Sequence, residues 1–238
     1  MFERILRLSA EEGLDAERDA LQRVFDGQTD AQLLFWRPLE QALVMPRRLS
    51  RLDGFAEAQA ECAALGWPIA LRDTGGEPVP QSAGVLNVAL VYALPPDDDE
   101  MTRIETAYLR LCQPLCDWLT GFGFAAGLGE VPGAFCDGRY NVTLDGRKLV
   151  GTAQRWRRRQ RDGRYVVLAH GAILMEEQRA SMVEAVNVFY RGCGLPAQIR
   201  VDSHIALAER LAEPWQATPD LARRFQAPLA ALGLPLTF

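Results

Sequence analysis

The chain has 238 residues, of which 48% are hydrophobic and 24% charged, and this balance is typical of a globular protein with one large core. Its net charge of −5 at pH 7 argues against nucleic acid as the main partner, because phosphate binding favours a basic face. The sequence lacks an apolar run of about 18 residues and an N-terminal leader with a basic start and apolar centre. We therefore expect no membrane association and a cytoplasmic location.

The N-terminal region predicts a helix followed by two strands. Residues 10–26 combine helix-favouring side chains with spaced apolar positions, and Ser9 with Glu12 predicts a capping box at their start. The apolar runs 32–37 and 41–45 each end at a proline. We interpret these runs as two strands that pair with each other.

The middle of the chain alternates between helices and buried strands. A helix is predicted over 55–65 and a buried strand over 68–71. The strand leads into the loop 72–76, whose two glycines permit unusual backbone angles or the close approach of a ligand. A long apolar strand over 85–94 and a helix over about 100–121 follow.

Asp145-Gly146 is the strongest hairpin signal in the sequence. It separates predicted strands at 141–144 and 148–153, which places Lys148 at the turn end of a strand. A further strand is predicted over 165–175, and the basic segment 155–164 is interpreted as the connection before it.

Residues 176–238 are predicted to be mostly helical. Strands joined by hairpins and mixed with helices predict an α+β fold, in which a mostly antiparallel mixed sheet is packed with helices. We expect a catalytic domain over 1–180 and a mostly helical C-terminal extension of the same domain over 181–238.

The five cysteines are scattered without the spacing of a disulfide framework, which predicts free thiols in a cytosolic protein. Cys112 and Cys116 lie four residues apart in a predicted helix. Without Cys or His neighbours they fall short of a zinc site, so we assign them to core packing and expect no bound metal.

Lys148 is the only lysine of the chain. An ammonium group is a compact charge on a flexible stem that reaches one carbonyl or phosphate oxygen, whereas a planar guanidinium fits such a pocket poorly. A lysine kept where arginine is otherwise universal indicates a chemical role. Chance in an arginine-preferring composition is the alternative.

Several motifs follow one another in a fixed order. They are Arg72-Asp73-Thr74-Gly75-Gly76, Leu86-Asn87, the hairpin from Gly146 to Gln154, and His170-Gly171-Ala172-Ile173-Leu174. Their order and spacing resemble the lipoate-protein ligase and octanoyltransferase family over about residues 33–175. The resemblance implies a fold like that of the biotin and lipoate protein ligases, and the handling of octanoyl or lipoyl groups.

The resemblance also implies roles for individual residues. Lys148 would contact the acyl carbonyl or the adenylate phosphate, where an ammonium group stabilises oxyanion charge. The other positions that the resemblance assigns to substrate binding are Arg72, Thr74, Gly75, Gly76, Asn87, Gly151, Thr152, Ala153, His170 and Gly171.

Cys136 falls where the cysteine-dependent octanoyl and lipoyl transferases resemble one another. The implied chemistry is a thiolate that attacks an acyl thioester or amide, holds the acyl chain as a thioester, and passes it to a target lysine. Lys148, Arg139 and His170 are the candidates to activate it. An incidental loop thiol is the alternative for Cys136, and a packed, hydrogen-bonded side chain is the alternative for His170.

The sequence departs from the ATP-dependent ligases of the family. Those ligases usually carry a third glycine and a double arginine at the loop, where this chain has Glu77 and Asp73, and they commonly show His-Asp at the position of Gln81-Ser82. A carboxylate repels nucleotide phosphates at close range unless a metal intervenes. The transferase interpretation needs no cofactor, whereas a ligase would need ATP and Mg.

The six arginines between 155 and 164 predict a solvated hairpin face. The alternative is docking of an acidic carrier protein, with Trp156 as an anchor. The expected donor is octanoyl-acyl carrier protein or a lipoylated or octanoylated carrier domain, and the expected acceptor is an acidic lipoyl domain.

Three functional hypotheses remain at this point. The first is a protein lipoylation enzyme that transfers an octanoyl or lipoyl group through a Cys136 thioester to a lysine of a lipoyl-carrier domain. The second is an ATP-dependent lipoate-protein ligase that forms lipoyl-adenylate and leaves Cys136 idle. The third is a catalytically silent relative that binds carrier proteins through its arginines.

Overall fold

The computed structural model describes residues 5–95, 98–196 and 198–231. Its larger sheet contains seven strands, which are β1 (Leu6–Leu8), β2 (Ala31–Pro38), β6 (Val85–Ala93), β7 (Ala126–Leu128), β8 (Val142–Leu144), β9 (Arg147–Arg158) and β10 (Tyr165–Leu174). They are ordered β1-β2-β6-β10-β9-β8-β7. Every neighbouring pair is antiparallel except β1 and β2, which confirms the predicted α+β class.

A smaller sheet holds β3 (Ala42–Pro46), β4 (Ile69–Arg72) and β5 (Val79–Gln81), in the order β4-β3-β5. The prediction that 32–37 and 41–45 pair with each other is therefore wrong. Both edges of β2 are occupied, one by β1 and the other by β6. The chain instead crosses to the smaller sheet after Pro38, and β3 pairs with β4 and β5.

The helices are α1 (Ala10–Asp26), α2 (Phe55–Ala64), α3 (Arg103–Thr120), α4 (Arg179–Gly192) and α5 (Thr218–Ala231). The predicted capping box at the start of α1 is confirmed, because the Ser9 side chain accepts from the Glu12 amide and the Glu12 carboxylate accepts from the Ser9 amide. α4 packs against α2, and α5 packs against α3. No helix in the described ranges is both long and apolar enough to span a membrane.

Strand β6 is buried along its whole length, and its alternating side chains enter two different clusters. Ala89 and Val91 pack with Leu21 and Val24 of α1. The side chains that alternate with them, such as Leu90, belong to the main hydrophobic cluster. Because both faces are covered, the strand reads as a continuous apolar run instead of an alternating one.

The β8–β9 hairpin turns at the predicted dipeptide. Asp145 has φ 53° and Gly146 has φ 70°, so both central residues have the positive φ that a type I′ turn requires. The prediction that 155–164 is a connection is wrong for its first four residues, because β9 continues to Arg158 and pairs with β10 throughout that stretch. Basic side chains masked the alternation of a strand that reaches into solvent.

Candidate active site

The middle of β10 brings several predicted site residues together. It lies between β6 and β9, so that Ala172 is opposite both Asn87 and Gly151, and His170 is opposite Ala153. These strands form one wall of a cavity with about 420 Å³ of empty space. The predicted site residues that line it are Arg72, Asn87, Cys136, Gly151, Thr152, Ala153, His170 and Gly171.

The remainder of this inner cavity is mainly apolar. Leu14, Trp36, Val44 and Val79 contribute to its lining. The polar Asn87 amide is satisfied within the wall, since it exchanges two hydrogen bonds of 2.8 and 3.1 Å with Gln81. An apolar lining with a few fixed polar groups suits a medium-length acyl chain.

Cys136 lies at the edge of the inner cavity, half-buried and with φ 50°. This backbone conformation is uncommon for a residue other than glycine, asparagine or aspartate. The sulfur accepts a hydrogen bond of 3.2 Å from the Glu77 amide. The guanidinium of buried Arg72 also interacts with it. A backbone N–H and a guanidinium both complement negative charge on the sulfur.

Gly76 makes this arrangement possible. Its φ is 98°, and a Cβ built on it would lie 2.6 Å from the Cys136 sulfur and 3.0 Å from Nη2 of Arg72. Any side chain at position 76 would displace both groups. The second loop glycine is therefore required by the close approach of the thiol, and Gly75 lies in an outer cleft beside it.

Lys148 lies beneath the loop that carries Cys136. Its side chain is 1% exposed, and its ammonium donates to the carbonyl oxygens of Phe135 at 2.6 Å and Cys136 at 2.7 Å. Burial lowers the pKa of Lys148 from 10.5 to about 8. The ammonium thus braces the Cys136 backbone through two of its three N–H groups.

His170 belongs to a chain of buried hydrogen bonds. Its Nε2 lies 3.0 Å from Thr74 Oγ1, and its Nδ1 lies 2.7 Å from a carboxylate oxygen of Glu17. The other oxygen of Glu17 accepts from the Trp36 indole at 2.9 Å. These contacts fix the imidazole at the cavity wall and direct it towards Thr74.

Glu17 was missed by sequence reasoning, although it is 2% exposed and lines the inner cavity. It lies on α1 between Leu14 and Leu21, at the i+3 and i+4 spacings that mark one helix face. A carboxylate within an apolar helix face was the available signal.

His204 was also missed, and it holds the Cys136 loop from the C-terminal side. Its Nε2 accepts from the Phe135 amide at 3.1 Å, and its Nδ1 donates to the Arg200 carbonyl at 2.9 Å. Burial and the positive charge of Lys148 lower the pKa of His204 to about 4. Ser203 adds a bond of 2.8 Å to the Pro132 carbonyl. Neighbouring chain segments therefore fix both ends of this loop.

An outer cleft opens on the other side of Cys136, with about 510 Å³ of empty space. Tyr108 and Tyr140 stack within its lining, with ring centroids 4.4 Å apart. Arg139 lines the same cleft. Asp137 serves the loop, because its Oδ1 accepts from two backbone amides and from Asn141.

The carboxylates of the glycine loop are paired with arginines. Asp73 accepts from Arg47 at 2.8 Å, which holds the pKa of its carboxyl below the usual range. Glu77 is paired with Arg48. No group of three or more His, Cys, Asp or Glu side chains in the described part of the chain is arranged to hold a metal ion.

The arginines of the β9–β10 hairpin are engaged in contacts within the protein to different degrees. Arg159 is 2% exposed and bonds to Asp162. Arg157 lies 3.7 Å from the centre of the Phe25 ring. The expectation of a uniformly solvated face is therefore wrong for Arg159, which is buried at the tip of the hairpin.

A half-buried thiol beside an apolar cavity, with a buried lysine beneath its loop, defines the class of the site as one that handles an acyl chain. The fold and the sequence agree with that class. The chain belongs to the lipoyl protein ligase A/B catalytic domain family, whose model matches residues 9–206. The family predicted from the ordered motifs is confirmed.

Curated relatives give more detailed names. An uncharacterised protein of Cupriavidus necator is 36% identical over 187 residues, which is 74% of this chain and 72% of that protein. The octanoyl-GcvH:protein N-octanoyltransferase of Kyrpidia tusciae is 36% identical over 132 residues, 52% of this chain and 43% of that enzyme. The lipoyl-GcvH:protein N-lipoyltransferase of Listeria monocytogenes is 28% identical over 106 residues. The chain spans less than half the length of these two transferases.

Solved structures show the same fold at lower identity. Lipoate-protein ligase A bound with ATP has a TM-score of 0.66 and 16% identity, covering 100% of this chain and 87% of that one. A bipartite lipoate protein ligase of Thermoplasma acidophilum, studied with its E2 lipoyl domain, has a TM-score of 0.62 and 16% identity, covering 98% and 83%. The prediction of a lipoate protein ligase-like fold is confirmed.

Proposed function

We propose that the protein is an acyltransferase of protein lipoylation, which moves an octanoyl or lipoyl group through a Cys136 thioester to a lysine of a lipoyl-carrier domain. The observation that carries the proposal is the position of the Cys136 sulfur at the edge of the inner cavity, facing the Glu77 amide and Arg72. The names of the relatives from Kyrpidia and Listeria support the same class of reaction.

The reaction has two balanced steps. The Cys136 thiolate attacks the acyl carbonyl of an N-acylated carrier lysine, the C–N bond breaks, and the departing amine takes a proton. A thioester to Cys136 remains. The deprotonated amine of a second carrier lysine then attacks the thioester, the C–S bond breaks, and the thiolate is regenerated.

The surrounding residues bind and position in this scheme. The acyl chain occupies the inner cavity along Gly151, Thr152, Ala153 and Gly171. Arg72 faces the sulfur with the loop that contains Thr74, Gly75 and Gly76. Lys148 keeps the Cys136 backbone in place and supplies positive charge beneath the reacting carbonyl. His170 and Asn87 belong to the cavity wall as polar groups with fixed orientation.

The donor in this proposal is an octanoylated or lipoylated carrier domain of the GcvH type, as the names of the relatives suggest. Octanoyl-acyl carrier protein is the second donor to test. The acceptor is an acidic lipoyl domain, and the structural neighbour studied with an E2 lipoyl domain supports that choice. Neither step consumes ATP.

The alternative is an ATP-dependent ligase, for which the ATP-bound structural neighbour is the favourable observation. Asp73 and Glu77 fit a nucleotide poorly, because the glycine loop then presents carboxylates where phosphates need cations. Their partners Arg47 and Arg48 are already committed to these carboxylates. We derive no step through ATP and magnesium.

A transfer assay separates these possibilities. Wild type, Cys136→Ser and Cys193→Ser are incubated with an octanoylated GcvH-type domain and an unmodified lipoyl domain, with and without ATP, and acylation of the acceptor is measured by mass spectrometry. We expect ATP-independent transfer by wild type and Cys193→Ser, and none by Cys136→Ser. Transfer from free octanoate that requires ATP and survives in Cys136→Ser would establish the ligase instead. Binding of carriers without transfer from any donor would establish a silent relative.

A further inference from the structure

The outer cleft and the inner cavity meet at the nucleophile. Cys136, Thr152 and Ala153 line both of them. The sulfur is therefore reached from two directions, one through a mainly apolar cavity and the other through a cleft of mixed polarity. A transferase that holds an acyl chain in the cavity has only the cleft side of its thioester left for a second substrate.

The walls of the outer cleft suit a narrow chain that is aliphatic along its length. The rings of Tyr108 and Tyr140 are stacked with 9° between their planes, and the Tyr108 hydroxyl is hydrogen-bonded to Gln154. Tyr140 is fixed from behind, because its carbonyl accepts from Thr152 Oγ1 at 2.9 Å. Flat aromatic surfaces bury methylene groups, and their hydroxyls remain available to polar atoms.

Glycines leave room opposite these rings. Gly75, Gly76 and Gly138 line the cleft, and a Cβ built on Gly75 or Gly138 meets nothing within 4 Å. The lining thus combines a rigid aromatic wall with a bare backbone. The Asp137 carboxylate is occupied by the amides of its own loop, so its charge is committed at this position.

We propose that the outer cleft binds the extended lysyl arm of the carrier domain, with the Tyr108–Tyr140 pair as its wall. The inference rests on the proposed thioester function and adds the place where the second substrate reaches it. The four methylene groups of the arm lie along the tyrosine rings, and its terminal nitrogen faces the carbonyl carbon attached to Cys136.

A bulky residue at position 138 tests this assignment. Gly138→Trp fills the cleft, because the position is open and its backbone does not have positive φ. Gly129→Trp is the matched control, since Gly129 is equally open, also lacks positive φ, and lies outside the cleft lining. Tyr108→Leu is a second cleft variant, which removes the aromatic wall without adding bulk.

The assay separates loading from transfer. Each variant is first acylated with the small thioester octanoyl-N-acetylcysteamine, and the isolated acyl-enzyme is then mixed with a carrier domain or with hydroxylamine. We expect Gly138→Trp to slow transfer to the carrier by about 100-fold, the scale for a misplaced nucleophile, while its reaction with hydroxylamine stays within about twofold of wild type. Tyr108→Leu raises the carrier concentration needed for half-maximal rate, and Gly129→Trp behaves like wild type.

Two results would overturn the inference. Carrier transfer by acylated Gly138→Trp at the wild-type rate would show that the arm does not use the cleft, and an equal loss with carrier and hydroxylamine would show damage to the thioester itself. Failure of the underlying function is seen separately, as wild type that forms no thioester with any donor, and it removes the inference as well.

Discussion

Replacing Lys148 with methionine tests whether a charged ammonium group is held beneath the nucleophile loop. The side chain is 1% exposed, and its two hydrogen-bond acceptors are backbone carbonyls. Burial without a carboxylate partner makes the protonated form costly, and this cost depends on pH. Methionine has a similar length and does not titrate.

The magnitude follows from the lowered pKa. The pKa of Lys148 falls from 10.5 to about 8 in the folded protein, and each unit corresponds to about 1.4 kcal/mol. Below pH 8 both the folded and the unfolded states carry the proton, so the full cost of about 3 kcal/mol is present. Between pH 8 and 10.5 the unfolded state binds more protons than the folded state, so stability rises with pH.

Urea unfolding of wild type and Lys148→Met between pH 7 and 10.5 measures this effect. We expect the difference in unfolding free energy to shift by about 3 kcal/mol in favour of wild type as pH rises. Arg147→Met is the control on the same strand, because a guanidinium keeps its charge throughout this range. Parallel pH curves for wild type and Lys148→Met would refute a buried ammonium at this position.

Three further predictions concern the groups around the thiol. Glu17→Gln should slow acyl loading by about tenfold, because a charge-assisted bond to His170 is lost, and single-turnover kinetics with unchanged folding would measure it; an unchanged rate would contradict that role. Gly76→Ala should reduce loading of Cys136 by about 100-fold, because its Cβ would lie 2.6 Å from the sulfur; loading at the wild-type rate, followed by mass spectrometry, would contradict this contact. The pKa of His204 is lowered to about 4, so its unfolded form takes up a proton first as pH falls below about 6.5 and wild type loses stability between these values; the pH dependence of unfolding should be weaker in His204→Gln, and identical profiles would contradict the buried neutral imidazole.

Local signals predicted much of the architecture. The Asp145-Gly146 turn requires two adjacent positive φ values, and those preferences are written in the two residues themselves. The capping box of α1 likewise depends on side chains three residues apart. The pairing of 32–37 with 41–45 failed because neighbouring strands in the sequence belong to different sheets, and only the tertiary arrangement shows that both edges of β2 are occupied.

The candidate site was predicted in part for the same reason. Cys136 and Lys148 were found from motifs, but the contact between them runs through backbone carbonyls, which side-chain identity does not reveal. Glu17 and His204 reach the site from the first helix and from the C-terminal region. Their roles depend on contacts more than 65 residues apart in sequence, such as that of His204 with Phe135, separated by 69 residues.

The most direct test of the account is intact-protein mass spectrometry after incubation with an octanoylated GcvH-type domain in the absence of ATP. We predict one octanoyl adduct on wild type that hydroxylamine removes, the same adduct on Cys193→Ala, and no adduct on Cys136→Ala. An adduct that persists in Cys136→Ala, or acceptor lysine modified by wild type with no adduct trapped even when the acceptor is withheld, would contradict a thioester at Cys136.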